Sequence, residues 1–216
     1  MSKQASTETH SSGHWDAQMA DWYVDKWGDI PLHRAIAELA EVKPDEAVID
    51  IGCGSGSAVQ AIAKTLSTGW VIGIDPTPRM IEIAQAQFWQ YEFSVPVTFI
   101  QTGAEQLPAE DNSIDLVLAI NTLHHWQDVD KGLNEVLRVL KPGGRFVVID
   151  DLWEEQSVMM EAPLDMPPCT ADQMIHHDLK DPTVIAYKLS DAGFSQVSNR
   201  THQSSDIAVS IVTAYK

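Results

Sequence analysis

Residues 48–56 read Val-Ile-Asp-Ile-Gly-Cys-Gly-Ser-Gly, a short apolar run that ends in glycines at alternate positions. The apolar run predicts a buried strand, and the glycines after it predict a tight turn into a helix. Because glycine has no Cβ, a ligand can lie directly on the main chain of such a turn, at the start of the helix. The stretch therefore predicts a strand, a cofactor-binding turn and a helix, in that order.

Segments with the periodicity of strands and of helices alternate along the chain after this turn. Strands are predicted over residues 48–51, 70–74, 97–101, 114–120 and 145–149, and helices over 57–66, 78–89 and 129–140. Strands that alternate with helices of this length form a parallel sheet with helices on both faces, because parallel neighbours need crossover connections. Ligands of such sheets lie beyond the carboxyl ends of the strands.

Both ends of the chain depart from this alternation. Two helices are predicted between residues 14 and 41, separated near Gly28 and Pro31. At the other end, a helix over 183–191 precedes strands over 194–200 and 207–215, which predict a hairpin. The expected fold class is therefore α/β, a doubly wound Rossmann-like sheet whose last strand is antiparallel.

Composition limits the classes of function. A chain of 216 residues suffices for one well-buried α/β core, so a single globular domain is expected. The net charge of -17 would repel a phosphate backbone, so no nucleic-acid partner is expected. The sequence has neither a long apolar run nor a secretory signal, and we expect no membrane span and a cytoplasmic location. Cys53 and Cys169 are too few for a disulfide framework or a zinc site.

The spacing of the glycines narrows the choice of ligand. A dinucleotide fingerprint, G-x-G-x-x-G, would place its third glycine where the chain has Ser57. Glycines at 52, 54 and 56, preceded by Asp50, resemble motif I of class I S-adenosylmethionine-dependent methyltransferases. The resemblance implies that the turn accommodates the methionine part of the cofactor, and that Asp50 acts on its ammonium group through neighbouring groups or water. A glycine turn without a ligand is the alternative.

The acidic residue that ends the second predicted strand has two interpretations. Asp75 is placed to accept hydrogen bonds from a ribose diol, and charge-assisted bonds of this kind contribute about 1.5 to 3 kcal/mol. The alternative is a cap for the helix that begins near Pro78, because aspartate is a good helix cap. The glycine motif upstream favours the ribose.

Further segments match motifs of the same family in the same order. Residues 103–108 resemble the segment that borders the adenine ring, although Gly103 stands where the family has aspartate. The resemblance implies that the Ala104 amide and the Glu105 carboxylate hold the adenine edge. With the matches at 111–117 and 137–144, it runs from about residue 44 to residue 150. The subgroup is that of small methyltransferases related to ubiquinone and menaquinone biosynthesis, methyltransferase type 11.

The resemblance also implies an architecture and a set of cofactor-binding residues. The expected sheet has seven strands in the order 3-2-1-4-5-7-6, with strand 7 antiparallel. The chain is expected to divide into a disordered tail (1–13), an N-terminal helical lid (14–43) and one methyltransferase domain (44–216), whose loop 151–181 lies on the acceptor side. The implied cofactor-binding residues are Asp50, Gly52, Cys53, Gly54, Gly56, Asp75, Pro76, Met80, Ala104, Glu105, Asn121 and, from the lid, Tyr23.

The end of the fourth predicted strand supplies the candidates for catalysis. Residues 121–126 should face the transferred methyl group in this fold, and histidine is the usual base near neutral pH. His124 and His125 are therefore the candidate catalytic residues, with a structural role as the alternative. Asn121-x-x-His124-His125 lacks the carboxylates that a hard divalent cation prefers, so no metal is predicted. A second pair, His176-His177, follows a Met-rich stretch that fits either acceptor recognition or core packing.

The sequence therefore predicts an enzyme that moves a methyl group from S-adenosylmethionine to a small-molecule acceptor by in-line displacement, with S-adenosylhomocysteine as product. Two alternatives stay open. One is a module of the same fold that binds the cofactor without transferase activity, and the other is an oxidoreductase with a nucleotide cofactor. The acceptor, its attacking atom and the oligomeric state cannot be derived from these residues.

Overall fold

A computed structural model describes residues 15–152 and 176–216 of the chain. The helices are α1 (Ala17–Trp27), α2 (Pro31–Leu39), α3 (Ser57–Thr65), α4 (Pro78–Phe88), α5 (Val129–Val139) and α6 (Pro182–Asp191). The strands are β1 (Ala47–Ile51), β2 (Trp70–Asp75), β3 (Val97–Gln101), β4 (Ile114–Ile120), β5 (Leu140–Asp151), β6 (Ser195–Gln203) and β7 (Ala208–Tyr215). Short 3-10 helices cover Leu123–His125 and His177–Lys180.

The strands form one sheet of seven in the order β3-β2-β1-β4-β5-β7-β6. Strands β1 to β5 are parallel to one another, whereas β7 is antiparallel to both β5 and β6. The predicted fold class, strand order and antiparallel last strand are therefore confirmed. The predicted tail, and residues 153–175 of the predicted acceptor loop, lie outside the described residues.

Apolar side chains from both faces of the sheet form the core. On one face, β1, β4 and β5 pack against α5 and α6, and on the other they pack against α2, α3 and α4. Buried strands such as β1 and β4 are almost continuously apolar because both of their faces are covered. Among the described residues, no helix has the length and hydropathy needed to cross a bilayer.

Strand β1 is the point at which the direction of winding reverses. It pairs with β2 on one side and with β4 on the other, so the loops after β1 and β4 leave the sheet towards opposite faces. A crevice at the carboxyl ends of these strands is the usual ligand site of such a sheet. The glycine turn follows β1 and therefore lies in this crevice.

Strand β5 begins earlier than the pattern predicted. It starts at Leu140 rather than at Arg145, because residues 140–144 already run extended and Leu140 pairs with Ile114. The register between β4 and β5 shifts after this first pair. Gly143, within this strand, has a φ of 80°, a left-handed conformation that glycine adopts readily.

A buried ion pair joins β1 to β5 at the amino edge of the sheet. Arg145 Nη1 lies 2.5 Å from Glu46 Oε1, and Arg145 Nη2 donates to Glu46 Oε2 at 3.1 Å. The same guanidinium donates to the main-chain carbonyls of Ala40 and Glu41, after α2. Both charged side chains are nearly inaccessible to solvent, so neither partner can be removed without leaving an unpaired buried charge.

We expect Arg145→Met to reduce the free energy of unfolding by about 3 to 5 kcal/mol, because it leaves the Glu46 carboxylate buried and unpaired. Urea unfolding followed by circular dichroism measures the change. Arg34→Met is the matched control, since Arg34 pairs with Asp29 at 2.7 Å on the surface, and it should leave the midpoint unchanged. Equal midpoints for the two variants would show that the pair does not hold the sheet edge.

Candidate active site

The three glycines after β1 have different reasons to be glycine. All have positive φ: 73° at Gly52, 51° at Gly54 and 83° at Gly56. A Cβ on Gly52 would lie 2.2 Å from Thr122 Oγ1, and one on Gly56 would lie 2.9 Å from Phe99 Cζ. A Cβ on Gly54 would meet no atom within 4 Å. Packing therefore requires the first and third glycines, whereas the second leaves open space of the kind a ligand could fill.

Asp75, at the end of β2, accepts hydrogen bonds from two main-chain amides, one in the glycine turn and one just before α4. Its Oδ2 accepts from the Gly54 amide at 3.1 Å, and its Oδ1 accepts from the Thr77 amide at 2.8 Å. Burial raises the pKa of this carboxyl, and the amide bonds oppose that rise. Asp75 thus fixes the turn and the approach to α4, but it does not cap that helix, whose N-cap residue is Thr77. Each carboxylate oxygen keeps a second lone pair, so the ribose interpretation is compatible with these bonds.

Asp50, in β1, is a buried carboxylate with one unpaired oxygen. It is 1% exposed, and its Oδ1 has no hydrogen-bond partner among the described residues. Burial, and secondarily the charge of Asp75, raise the pKa of Asp50 to about 8. An ionised carboxylate in such a place requires a nearby cation or donor. The ammonium group of S-adenosylmethionine has the chemistry that this oxygen requires.

Other predicted cofactor residues line the same turn or the start of α4. Cys53 is buried with a free thiol whose pKa is raised by burial, and its Sγ would lie 2.9 Å from a Cβ on Gly73. It therefore packs the turn against β2. Met80 is buried in the first turn of α4, and Pro76 is half-buried between Asp75 and that helix.

The side chain of Glu105, after β3, forms a contact within the protein that the sequence did not predict. Glu105 Oε1 accepts from the Asp128 amide at 3.0 Å, which ties this segment to the start of α5. A Cβ on Gly103 would lie 2.6 Å from Glu105 Oε2, so glycine leaves room for the folded-back carboxylate. Ala104 is buried beside them. The adenine contacts of Ala104 and Glu105 remain predictions.

Helix α1 and the turn after it are fastened to the glycine turn and to α4. The Gly28 carbonyl accepts from Ser55 Oγ at 3.0 Å and from Ser57 Oγ at 2.5 Å. Just before α1, the Trp15 amide donates to Thr77 Oγ1 at 3.2 Å. Burial, then the charges of Asp151 and Asp75, raise the pKa of Tyr23 to about 12, so its phenol stays protonated at neutral pH. This arrangement places Tyr23 close to the charged groups of the crevice.

Asn121 follows β4 in the left-handed conformation, with a φ of 52°. Its Nδ2 donates to Asp151 Oδ2 at 2.9 Å, and its Oδ1 accepts from the Asp151 amide at 2.9 Å. The side chain therefore holds the end of β4 against the end of β5. If Asn121 contacts the cofactor as predicted, it must use its main chain or the second proton of its side-chain amide, because its other side-chain groups bond Asp151.

The two candidate catalytic histidines have different surroundings in the structure. His124 is buried, and its Nδ1 lies 3.3 Å from Asp150 Oδ1 in β5. Burial, then the charges of Lys180 and His177, lower the pKa of His124 to about 3. His125 is half-buried, and its ring meets that of Trp15 edge-on with centroids 6.2 Å apart. The sequence analysis predicted no role for Asp150, although the acidic pair Asp150-Asp151 stands out at the end of an apolar strand.

Buried acidic groups dominate the charge of this edge of the sheet. Asp50, Asp75, Asp150 and Asp151 stand at or near the carboxyl ends of their strands, and burial raises the pKa of each. Within the described ranges, no group of three metal-ligating side chains comes together. The edge therefore suits a cationic organic ligand, and a sulfonium that also carries an ammonium group is one.

Known proteins agree with this geometry. The family described as "Methyltransferase domain" matches residues 49–148. An uncharacterized methyltransferase of Bacillus subtilis, YcgJ, is 38% identical over 56% of this chain and 47% of its own. A demethylmenaquinone methyltransferase of Tropheryma whipplei is 34% identical over 56% of this chain and 48% of its own. The chain thus spans about half the length of these curated relatives.

Solved structures share the fold across nearly the whole chain. A SAM-dependent methyltransferase of Aquifex aeolicus superposes with a TM-score of 0.70 and 22% identity, over 93% of this chain and 98% of that one. At this identity the likeness shows the fold. Residues 49–148 therefore match a methyltransferase domain, and the fold of the chain is that of a SAM-dependent methyltransferase.

Proposed function

We propose that the protein is an enzyme that transfers a methyl group from S-adenosylmethionine to a small-molecule acceptor and releases S-adenosylhomocysteine. The observation that carries the proposal is the buried Asp50 carboxylate beneath a glycine turn, whose Oδ1 has no hydrogen-bond partner among the described residues. A nicotinamide dinucleotide would bring a pyrophosphate to this turn, and the buried acids would repel it. S-adenosylmethionine brings positive charge instead, and it supplies the electrophilic methyl group when bound.

The residues at the crevice divide between the parts of the cofactor. Gly52, Gly54 and Gly56 lie under the methionine part, with Asp50 acting on its ammonium group. Asp75 accepts from the ribose, and Ala104 and Glu105 border the adenine. Cys53, Pro76 and Met80 shape the floor, while Asn121 and Tyr23 close the site from β4 and from the N-terminal lid, residues 14–43.

A small molecule is the acceptor class that the surroundings favour. The net charge of -17 opposes a polyanionic partner, and the Tropheryma relative is named for demethylmenaquinone, a small molecule. A module that binds the cofactor without turnover is the second candidate. The buried His124 beside Asp150 favours the enzyme, because a binding module needs no proton acceptor there.

Ligand binding tests the proposal directly. We expect S-adenosylhomocysteine at a hundred times its Kd to raise the melting temperature by about 5 °C or more, and NADH to leave it unchanged. Differential scanning fluorimetry measures both effects. Stabilisation by NADH alone would replace the methyltransferase proposal with an oxidoreductase.

The open space at Gly54 gives a second test. Gly54→Ala and Gly143→Ala both put a Cβ on a residue with positive φ, and neither Cβ meets an atom within 4 Å. Each should therefore lose about 1 kcal/mol of unfolding free energy from backbone strain. Only Gly54→Ala should weaken S-adenosylhomocysteine binding, by about 10-fold or more, in calorimetry. Equal affinities would mean that the ligand does not lie on Gly54.

Asp50 links ligand binding to pH. Its pKa is about 8 in the folded, ligand-free protein against about 4 when unfolded, so the folded state retains the proton more strongly between these values. Ligand-free stability should therefore fall as pH rises from about 4 to about 8. Asp50→Asn should flatten that fall in thermal unfolding at pH 5 and pH 8.

The same Asp50→Asn substitution should weaken S-adenosylhomocysteine binding by about 10-fold or more, because the ammonium group loses its charged partner. Asp45→Asn is the matched control, since Asp45 is exposed just before β1. It should change neither the pH dependence nor the affinity. An Asp50→Asn variant that binds as tightly as the parent would contradict the assigned role.

A further inference from the structure

A buried histidine and a buried aspartate meet where β4 and β5 end. The side chains of His124 and Asp150 are 4% and 0% exposed, and His124 Nδ1 lies 3.3 Å from Asp150 Oδ1. Within the described residues, neither that nitrogen nor either carboxylate oxygen forms a hydrogen bond of good geometry. Catalytic hydrogen bonds are often poorly aligned before substrates bind, and this 3.3 Å contact is of that kind.

The main chain fixes the pair beside the cofactor crevice. The ends of β4 and β5 are held in register by the pairing of Ile120 with Ile149. His124 lies two residues after Thr122, whose hydroxyl contacts Gly52 of the glycine turn. From the other side, the His176 amide donates to the His124 carbonyl at 3.1 Å, which brings the helix His177–Lys180 over the pair.

We propose that His124 is the general base of methyl transfer, that Asp150 is its positioning residue, and that the acceptor is a hydroxyl compound. The proposal rests on the proposed function. An amine with a free lone pair needs no base, whereas a hydroxyl must lose its proton as its oxygen is methylated. A buried base oriented by a carboxylate is therefore expected for the hydroxyl class.

His124 and Asp150 can together accept the proton that the hydroxyl group loses during methyl transfer. Asp150 accepts from Nδ1–H of His124, which leaves the lone pair on Nε2. Nε2 takes the hydroxyl proton while the acceptor oxygen forms its bond to the methyl carbon, and the electron pair of the broken carbon–sulfur bond stays on sulfur. The imidazolium that results lies against the Asp150 carboxylate, and its proton later passes to solvent.

The charged groups around the pair set its protonation. Lys180 and His177 face it from the 3-10 helix, the His125 ring lies 4.2 Å from the His124 ring, and Asp151 follows Asp150 in β5. Burial raises the pKa of Asp150 to about 8, and Lys180 opposes that rise. Burial, and then Lys180 and His177, lower the pKa of His124. Since the base form needs an ionised Asp150, the rate should rise with pH towards about 8.

The tautomer of His124 tests the positioning role without an acceptor. In the full chain with S-adenosylhomocysteine bound, nitrogen-15 NMR at pH 9 should show the His124 proton on Nδ1, with His124→Gln identifying the signal. In Asp150→Asn the amide donates to Nδ1, so the proton should move to Nε2. Asp151→Asn, one residue further along β5, should leave the tautomer unchanged. A proton on Nε2 in the parent protein would overturn the proposal.

Turnover tests the acceptor class. The probes are catechol and a hydroquinone as hydroxyl acceptors, and ethanolamine and histamine as amines, with release of S-adenosylhomocysteine as the signal. We expect turnover of hydroxyl probes, and a loss in kcat of about 100-fold or more in Asp150→Asn with the Kd of S-adenosylhomocysteine unchanged. Turnover of amines alone would overturn the proposal, and if no probe reacts the tautomer decides. Failure of the parent to bind S-adenosylhomocysteine would instead reject the proposed function.

Discussion

The carboxylate of Asp75 is the interaction on which the rest of the site depends. It accepts from the Gly54 amide and from the Thr77 amide, so it sets the turn after β1 and the start of α4 together. Thr77 in turn accepts from the Trp15 amide, which carries the same constraint to the N-terminal helix. Three parts of the chain that are distant in sequence thus take their positions from one side chain.

Burial of acids at one edge of the sheet has opposite effects on stability and on binding. Each carboxyl oxygen without a partner disfavours the ligand-free protein once the group ionises, and Oδ1 of Asp50 and both oxygens of Asp150 lack hydrogen-bond partners within the described ranges. The same groups become favourable when a cationic ligand or a transferred proton arrives. The protein is therefore less stable without its ligand than with it, and groups that cost stability in this way are common at catalytic sites.

The sequence sufficed for the fold because its signals are local. Each strand or helix, or its end, is specified by nearby residues, such as an apolar run, the glycines after β1 or the aspartate that ends β2. The alternation of strands and helices then leaves few possible topologies. Contacts between residues distant in sequence were not predicted: Glu105 bonds the start of α5, and Asn121 bonds Asp151. The adjacent histidines could not be distinguished either, because their different neighbours, Asp150 for His124 and Trp15 for His125, are distant in sequence. Asp150 gained meaning only when β5 was placed beside β4.

The Arg145–Glu46 pair lies at the amino edge of the sheet, opposite to the crevice. Its bonds reach α2, β1 and β5, which are the scaffold, and none reaches the residues that face the ligand. Changes around the crevice therefore leave this anchor intact. A lineage that explores new acceptors can alter the loops at the carboxyl edge while the opposite edge preserves the fold, which makes the scaffold evolvable.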